Sequence, residues 1–151
     1  MTPDRRAHTA ASIGLALALA LWGPHHLLRE TAPRTVLMAQ SQAVAAEAGV
    51  RETLQNYSAA LASLDANAVK KVQPSIPVDN LAKAFRDMRE LKVEIDAVRV
   101  LSMDGATARV SCRVTQTLIP KAGSRQTTAV TRVMRLRRQP NSSWVIDGFE
   151  R

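Results

Sequence analysis

The 151-residue sequence has few of the residues that form disulfides and metal sites. Its single cysteine, Cys112, has no internal partner, which excludes an intramolecular disulfide. The three histidines, His8, His25 and His26, all precede the segment in which regular structure is predicted, and no pair of cysteines has metal-ligand spacing. No metal site and no cofactor are therefore expected.

Aromatic residues are also scarce, at 3%, so the core must be built from Val, Leu, Ile, Ala and Met. Acidic residues are scarce in one region: residues 99–138 contain nine Lys or Arg and a single acid, Asp104. This excess and the net charge of +8 favour acidic partners, such as nucleic acid, an anionic lipid surface, cell-wall polyanions or an acidic protein. The preferred alternative is a solvated, arginine-rich face of a sheet.

The apolar run at residues 10–22 is too short for a typical membrane span. Its thirteen residues would extend roughly 20 Å as a helix, whereas a bilayer core is roughly 30 Å thick. The run follows Arg5 and Arg6, and this order is typical of a secretory signal. Residues 1–23 are therefore predicted to be a signal peptide or, alternatively, a short anchor in the inner membrane, and residues 24–45 a linker. The predicted location is periplasmic or secreted.

A helical period dominates the next segment. Large apolar residues recur at spacings of four and three, which places them on one helix face: Val50, Leu54, Tyr57, Leu61 and Leu64. This first helix is predicted to begin at Ser41 or Gln42 at the earliest. Asp65 is placed to cap a short second helix that ends at Val72, and a third helix is predicted from Val78 to Glu90.

After Leu91 the apolar period changes to two, as in β-strands. The alternation breaks near Val98, which predicts a bulge, and Asp104-Gly105 is a strong hairpin signal. Three further strands are predicted at residues 106–118, 126–138 and 144–149. Helices followed by consecutive strands predict an α+β fold, with three N-terminal helices packed on one face of a bent four-stranded antiparallel sheet.

Two stretches resemble the nuclear transport factor 2-like superfamily, which includes ketosteroid isomerases and SnoaL-like cyclases. The segment YSAAL, from Tyr57 to Leu61, followed by Asp65 and Val69, resembles the first two helices of these domains. The segments RLRR at residues 135–138 and WVID at residues 144–147 resemble their last two strands. The resemblance implies a cystatin-like cone, in which a strongly bent sheet wraps around the first helix and a pocket lies between them.

The resemblance covers residues 46–151, the predicted domain, and implies site residues. Isomerases of the superfamily use a tyrosine of the first helix to hold a developing oxyanion, and Tyr57 matches that position. Their catalytic acid follows the second helix, where residues 73–77 read QPSIP, without a carboxylate. The chain is therefore expected not to be an enzyme. The candidates for pocket residues are Tyr57, Phe85, Cys112, Gln116 and Trp144.

Four arginines of the predicted strands have the parity to share one sheet face and are candidates for an anionic-partner surface: Arg109, Arg113, Arg135 and Arg137. No aromatic side chains lie among them to stack bases, so nucleic acid is disfavoured as a partner. An acidic partner stays open. The resemblance also implies pairing of two copies through the sheet.

Three functions are therefore weighed. The first is a noncatalytic, exported bacterial domain that binds a protein or a small molecule. The second is a membrane-anchored component of a cell-envelope assembly, because periplasmic domains of type IV secretion systems have a similar fold. The third is a small-molecule isomerase or dehydratase, which is disfavoured because no catalytic acid pair is found.

Overall fold

Three helices precede four strands in the computed structural model, which describes residues 32–150. The helices are α1 (Ala32–Ala62), α2 (Ala66–Val72) and α3 (Val78–Arg86). The strands are β1 (Met88–Met103), β2 (Thr107–Pro120), β3 (Gln126–Arg138) and β4 (Trp144–Glu150), and they form one antiparallel sheet in the order β1-β2-β3-β4. The predicted α+β architecture is confirmed. The predicted signal or anchor lies outside the described residues, and the division into domains stays a prediction.

The apolar face of α1 packs against one face of the sheet, here called the inner face. Val50, Leu54, Tyr57 and Leu61 are all buried, as their spacing predicts. The sheet contributes alternate residues of its strands, because successive side chains of a strand point to opposite faces. The buried side chains of the inner face include Leu91, Val93, Ala108, Val110, Cys112, Val114, Met134 and Leu136.

Side-chain hydrogen bonds set the predicted turns and caps. The carboxylate of Asp65 accepts a hydrogen bond of 2.8 Å from the backbone N–H of Asn67 at the start of α2. Asp104 accepts from the backbone N–H groups of Ala106 and Thr107, at 3.0 and 2.6 Å, and Gly105 adopts a φ of +87°. The predicted bulge is present: Ala97 has a φ of +49°, between the paired residues Asp96 and Arg99.

Two helix boundaries differ from the prediction. The first helix begins at Ala32 rather than near Ser41, so much of the predicted linker is helical. Residues 37–45 are exposed, and a helix without a buried face leaves no apolar period in the sequence. The third helix ends at Arg86 rather than Glu90, because Met88 pairs with Pro120 in the sheet and the Asp87 carbonyl accepts a hydrogen bond from the Lys121 backbone N–H.

Gly49 does not interrupt α1, and its small size has a packing role. A Cβ atom at this position would lie 2.9 Å from Cδ1 of Trp144, the first residue of β4. At the same contact, the Thr53 hydroxyl shares its one proton between the carbonyls of Gly49 (2.9 Å) and Trp144 (3.2 Å). Glycine therefore lets the helix approach the indole closely.

The substitution Gly49→Ala should lower the free energy of unfolding by about 1–3 kcal/mol, although alanine favours helices, because the added methyl group overpacks the contact with Trp144. Urea denaturation followed by circular dichroism measures it. The exposed neighbour Ala48 provides the control, since Ala48→Gly should cost only the helix-propensity difference of about 1 kcal/mol. An increase in stability for Gly49→Ala would show that the indole moves away freely.

Candidate functional site

A cavity of about 100 Å³ opens between α1 and the inner face of the sheet. It is where the resemblance implies a pocket. Its lining comes from α1 and from three strands, and consists of Tyr57, Val114, Gln116, Arg132, Met134 and Phe149. The lining thus combines a phenol, an amide and a guanidinium with three apolar side chains. Small-molecule sites typically have a small number of polar groups in a mostly apolar pocket.

Tyr57 is the most deeply placed polar group of the cavity. Its residue is 8% exposed, and its ring lies 6.3 Å from the ring of Phe149, tilted by 47°. Burial raises the pKa of the Tyr57 phenol, and the positive charge of Arg132 opposes that rise. The phenol is therefore protonated at neutral pH, and it can donate a hydrogen bond to a ligand oxygen.

Arg132 enters the cavity from β3. It lies directly opposite Cys112 in the register of β2 and β3, and directly opposed residues of antiparallel strands share a face. Cys112 is buried on the inner face, so Arg132 belongs to that face too. The guanidinium carbon lies 5.8 Å from the centre of the Phe149 ring, within the range of a cation–π contact.

Of the predicted pocket residues, only Tyr57 and Gln116 line this cavity. Cys112 is 1% exposed within the core, where burial raises the pKa of its thiol and the charge of Asp96 raises it further, so the thiol stays neutral. Phe85 and Trp144 line two other depressions, of about 410 and 500 Å³.

Three depressions among the described residues are larger than the small cavity, and the one at Trp144 also has polar lining residues, Gln42, Arg138 and Ser142. The one at Phe85 has Asp65 on its rim, and that carboxylate already caps α2. Another, of about 380 Å³, lies between α1 and β1, and its charged residue Arg51 is paired with Glu47 at 2.7 Å. The small cavity is the candidate site because it brings the buried Tyr57 together with Arg132, and not because of its volume.

Four cavity residues are not among the sequence candidates: Val114, Arg132, Met134 and Phe149. The sequence does contain a signal for Arg132. On β3 it alternates with Val130, Met134 and Leu136, so it is a charged residue within an apolar set, whereas Arg138 has the same parity but lies at the end of the strand. When an arginine alternates with the apolar residues of a strand, it lies on the core-facing side, and its charged group is expected at the edge of the core.

The four arginines predicted as an anionic-partner surface lie on the outer face of the sheet. Arg109 donates two hydrogen bonds to the Glu150 carboxylate, at 2.8 and 2.6 Å, and they hold the pKa of Glu150 below its usual range. Arg137 lies 3.7 Å from a carboxylate oxygen of Asp147. Arg113 is opposite Asp96, and Arg135 is opposite Arg109. The outer face thus carries both signs of charge, and its role in binding an acidic partner stays a prediction.

The segment after α2, where the resemblance places a catalytic acid, contains Gln73. This residue is 7% exposed, and among the described residues its side-chain oxygen has no hydrogen-bond partner. Within residues 32–150 no group of three or more His, Cys, Asp or Glu is placed to hold a metal ion. No helix in the same range is both long and apolar enough to cross a membrane.

Comparisons with known proteins match the fold and not the sequence. No protein-family model and no curated protein matches the chain. Among solved structures, a candidate scytalone dehydratase from Novosphingobium aromaticivorans has a TM-score of 0.64 at 9% identity, with 74% of this chain and 85% of that chain covered. A nuclear transport factor 2-like superfamily protein from Salmonella enterica has a TM-score of 0.57 at 15% identity, with 69% and 87% covered.

One comparison corrects an expectation. The hexachlorocyclohexane dehydrochlorinase LinA-type3 from Novosphingobium barchaimii has a TM-score of 0.58 at 8% identity, with 73% of this chain and 87% of that chain covered. The expectation that the chain is not an enzyme is therefore contradicted, because the structures that share this fold include enzymes. The chain has the cone fold of the nuclear transport factor 2-like superfamily.

Proposed function

We propose that the protein binds a small organic molecule in the cavity beneath Tyr57. The observation that carries the proposal is the meeting of the Tyr57 phenol and the Arg132 guanidinium at a cavity whose other walls include Val114, Met134 and Phe149. Both polar groups are donors of hydrogen bonds, so the cavity suits an oxygen atom of the ligand. The apolar walls suit the carbon skeleton beside that oxygen.

The volume limits how much of a ligand the cavity encloses. About 100 Å³ is the share of roughly three water molecules in the liquid, enough for one functional group and a few carbon atoms. Gln116 and Arg132 are exposed and form the open side. The rest of a larger ligand would therefore lie over this rim, where the Gln116 amide can donate or accept a hydrogen bond.

The substitution Tyr57→Phe removes the phenol oxygen and keeps the ring that packs on Phe149. We expect affinity for benzamide, a neutral carbonyl probe, to fall about three- to tenfold, since a neutral hydrogen bond contributes about 0.5–1.5 kcal/mol. Ligand-observed NMR titration measures the affinity. The control is Ser63→Ala, which removes a hydroxyl just beyond the end of α1. Equal affinities of the wild type and Tyr57→Phe for benzamide would show that the phenol does not bind the ligand.

A second candidate function is catalysis, favoured by the enzymes that share this fold. A protonated phenol and a guanidinium could stabilise the negative oxygen of an enolate, which forms when a proton leaves the carbon next to a carbonyl. The six lining residues include no carboxylate, histidine or lysine that could accept that proton. Binding is therefore the first proposal, and proton transfer the second.

Catalysis of this kind should exchange hydrogen for deuterium next to a carbonyl. If it operates, cyclohexanone in D₂O will exchange faster with the protein than with buffer alone, and Tyr57→Phe will slow the exchange at least tenfold. Proton NMR follows the loss of signal. The Ser63→Ala variant should exchange at the wild-type rate. Exchange no faster than in buffer would count against this second function.

Export is part of the proposal, and its source is the sequence of residues 1–23. We expect a mature chain that begins between residues 21 and 46 and is released without detergent from the envelope fraction of the native host. Intact-mass spectrometry of the purified protein measures where the chain begins. A full-length chain released only by detergent would favour instead an anchored component of an envelope assembly.

A further inference from the structure

We infer that the ligand of this cavity is an organic anion whose carboxylate is bound by Arg132. The inference rests on the proposed function and narrows it to one class of ligand. It assigns the guanidinium as the group that selects ligands by charge, and the Tyr57 phenol as the second donor.

Arg132 differs in position from the four arginines of the outer face. The arginines of the outer face point away from the core, whereas Arg132 shares the inner face with Cys112, Val130 and Met134. A charged side chain at the edge of an apolar face costs free energy unless its head group reaches water or a partner. Arg132 is exposed, so its head group remains accessible to a ligand that enters from the open side.

The charge of Arg132 lacks the compensation found for two arginines of the outer face. Arg109 has Glu150 as its partner and Arg137 has Asp147, but within residues 32–150 no carboxylate forms an ion pair with Arg132. The cavity lining adds no acid. The positive charge also acts on the interior, since it opposes the effect of burial on the Tyr57 phenol. A bound anion would supply the missing negative charge.

The contact with Phe149 is compatible with this task. The guanidinium carbon lies 5.8 Å from the centre of the ring, and guanidinium groups commonly stack on aromatic faces. The N–H donors of a guanidinium lie in its own plane, so they stay available to the two oxygens of a carboxylate, a pairing in which two parallel hydrogen bonds form. The alternative is that Arg132 extends into solvent over the Phe149 ring and binds nothing.

Benzoate and benzamide test the inference, because they have nearly the same shape and differ in charge. We expect the wild-type protein to bind benzoate at least tenfold more tightly than benzamide in ligand-observed NMR titrations, because two parallel charge-assisted hydrogen bonds form with the carboxylate and each is about twice as strong as a neutral one. Arg132→Gln should lose about tenfold in affinity for benzoate and less than twofold for benzamide. Arg132→Lys, which keeps the charge without the planar fork, should fall between these values.

The control is Arg125→Gln, an exposed arginine in the turn between β2 and β3, which changes the net charge equally and should leave both affinities unchanged. Circular dichroism of each variant checks the fold. Equal binding of the two probes by the wild type would overturn the inference and leave the proposed function standing. Binding of neither probe would overturn both. If Arg125→Gln and Arg132→Gln lost the same affinity for benzoate, the net charge of the protein would explain the loss, and the inference would also fail.

Discussion

The contact between α1 and the inner face of the sheet is the interaction on which the other features depend. A four-stranded sheet with one apolar face is not stable until that face is covered, and α1 covers it with a stripe that begins at Val50. Gly49 and Trp144 bring the helix and β4 into close approach at one end. At Tyr57 the inner face changes character, since Gln116 and Arg132 replace apolar residues, and the cavity lies where this polar edge meets the helix.

The arginines of the sheet lie in two different environments, because successive side chains of a strand point to opposite faces. On the outer face, Arg109 and Arg137 have carboxylates of β4 as neighbours, and exposed pairs of this kind contribute little to stability. On the inner face, Arg132 lies beside an aromatic ring and near a buried phenol. The number of arginines in this half of the chain is thus less informative than the face on which each one lies.

Much of the fold could be predicted from the sequence, because helices and strands with one buried face repeat apolar residues at a regular spacing. The stripe on α1, the hairpin at Asp104 and the limits of β3 all match. The failures have physical causes. The exposed start of α1 packs on nothing and so leaves no period, and Met88 continues a helical spacing although pairing with Pro120 places it in a strand. The number of arginines and the parity of those on the outer face do not identify Arg132, whereas its alternation with Val130 and Met134 in β3 does.

The electrostatics of the cavity argue against an isomerase of the usual kind and for another use of the same scaffold. A carboxylate base works beside a neutral substrate, since a second negative charge in the site would repel it. In the segment where the resemblance places that base, this chain has the neutral amide of Gln73, and the cavity itself holds a cation and a protonated phenol. Such a site suits the ligand proposed above, which brings its own negative charge. The neutral amide of Gln73 and the cation of Arg132 lie at different positions, so together they change the charge of the site while the fold stays the same.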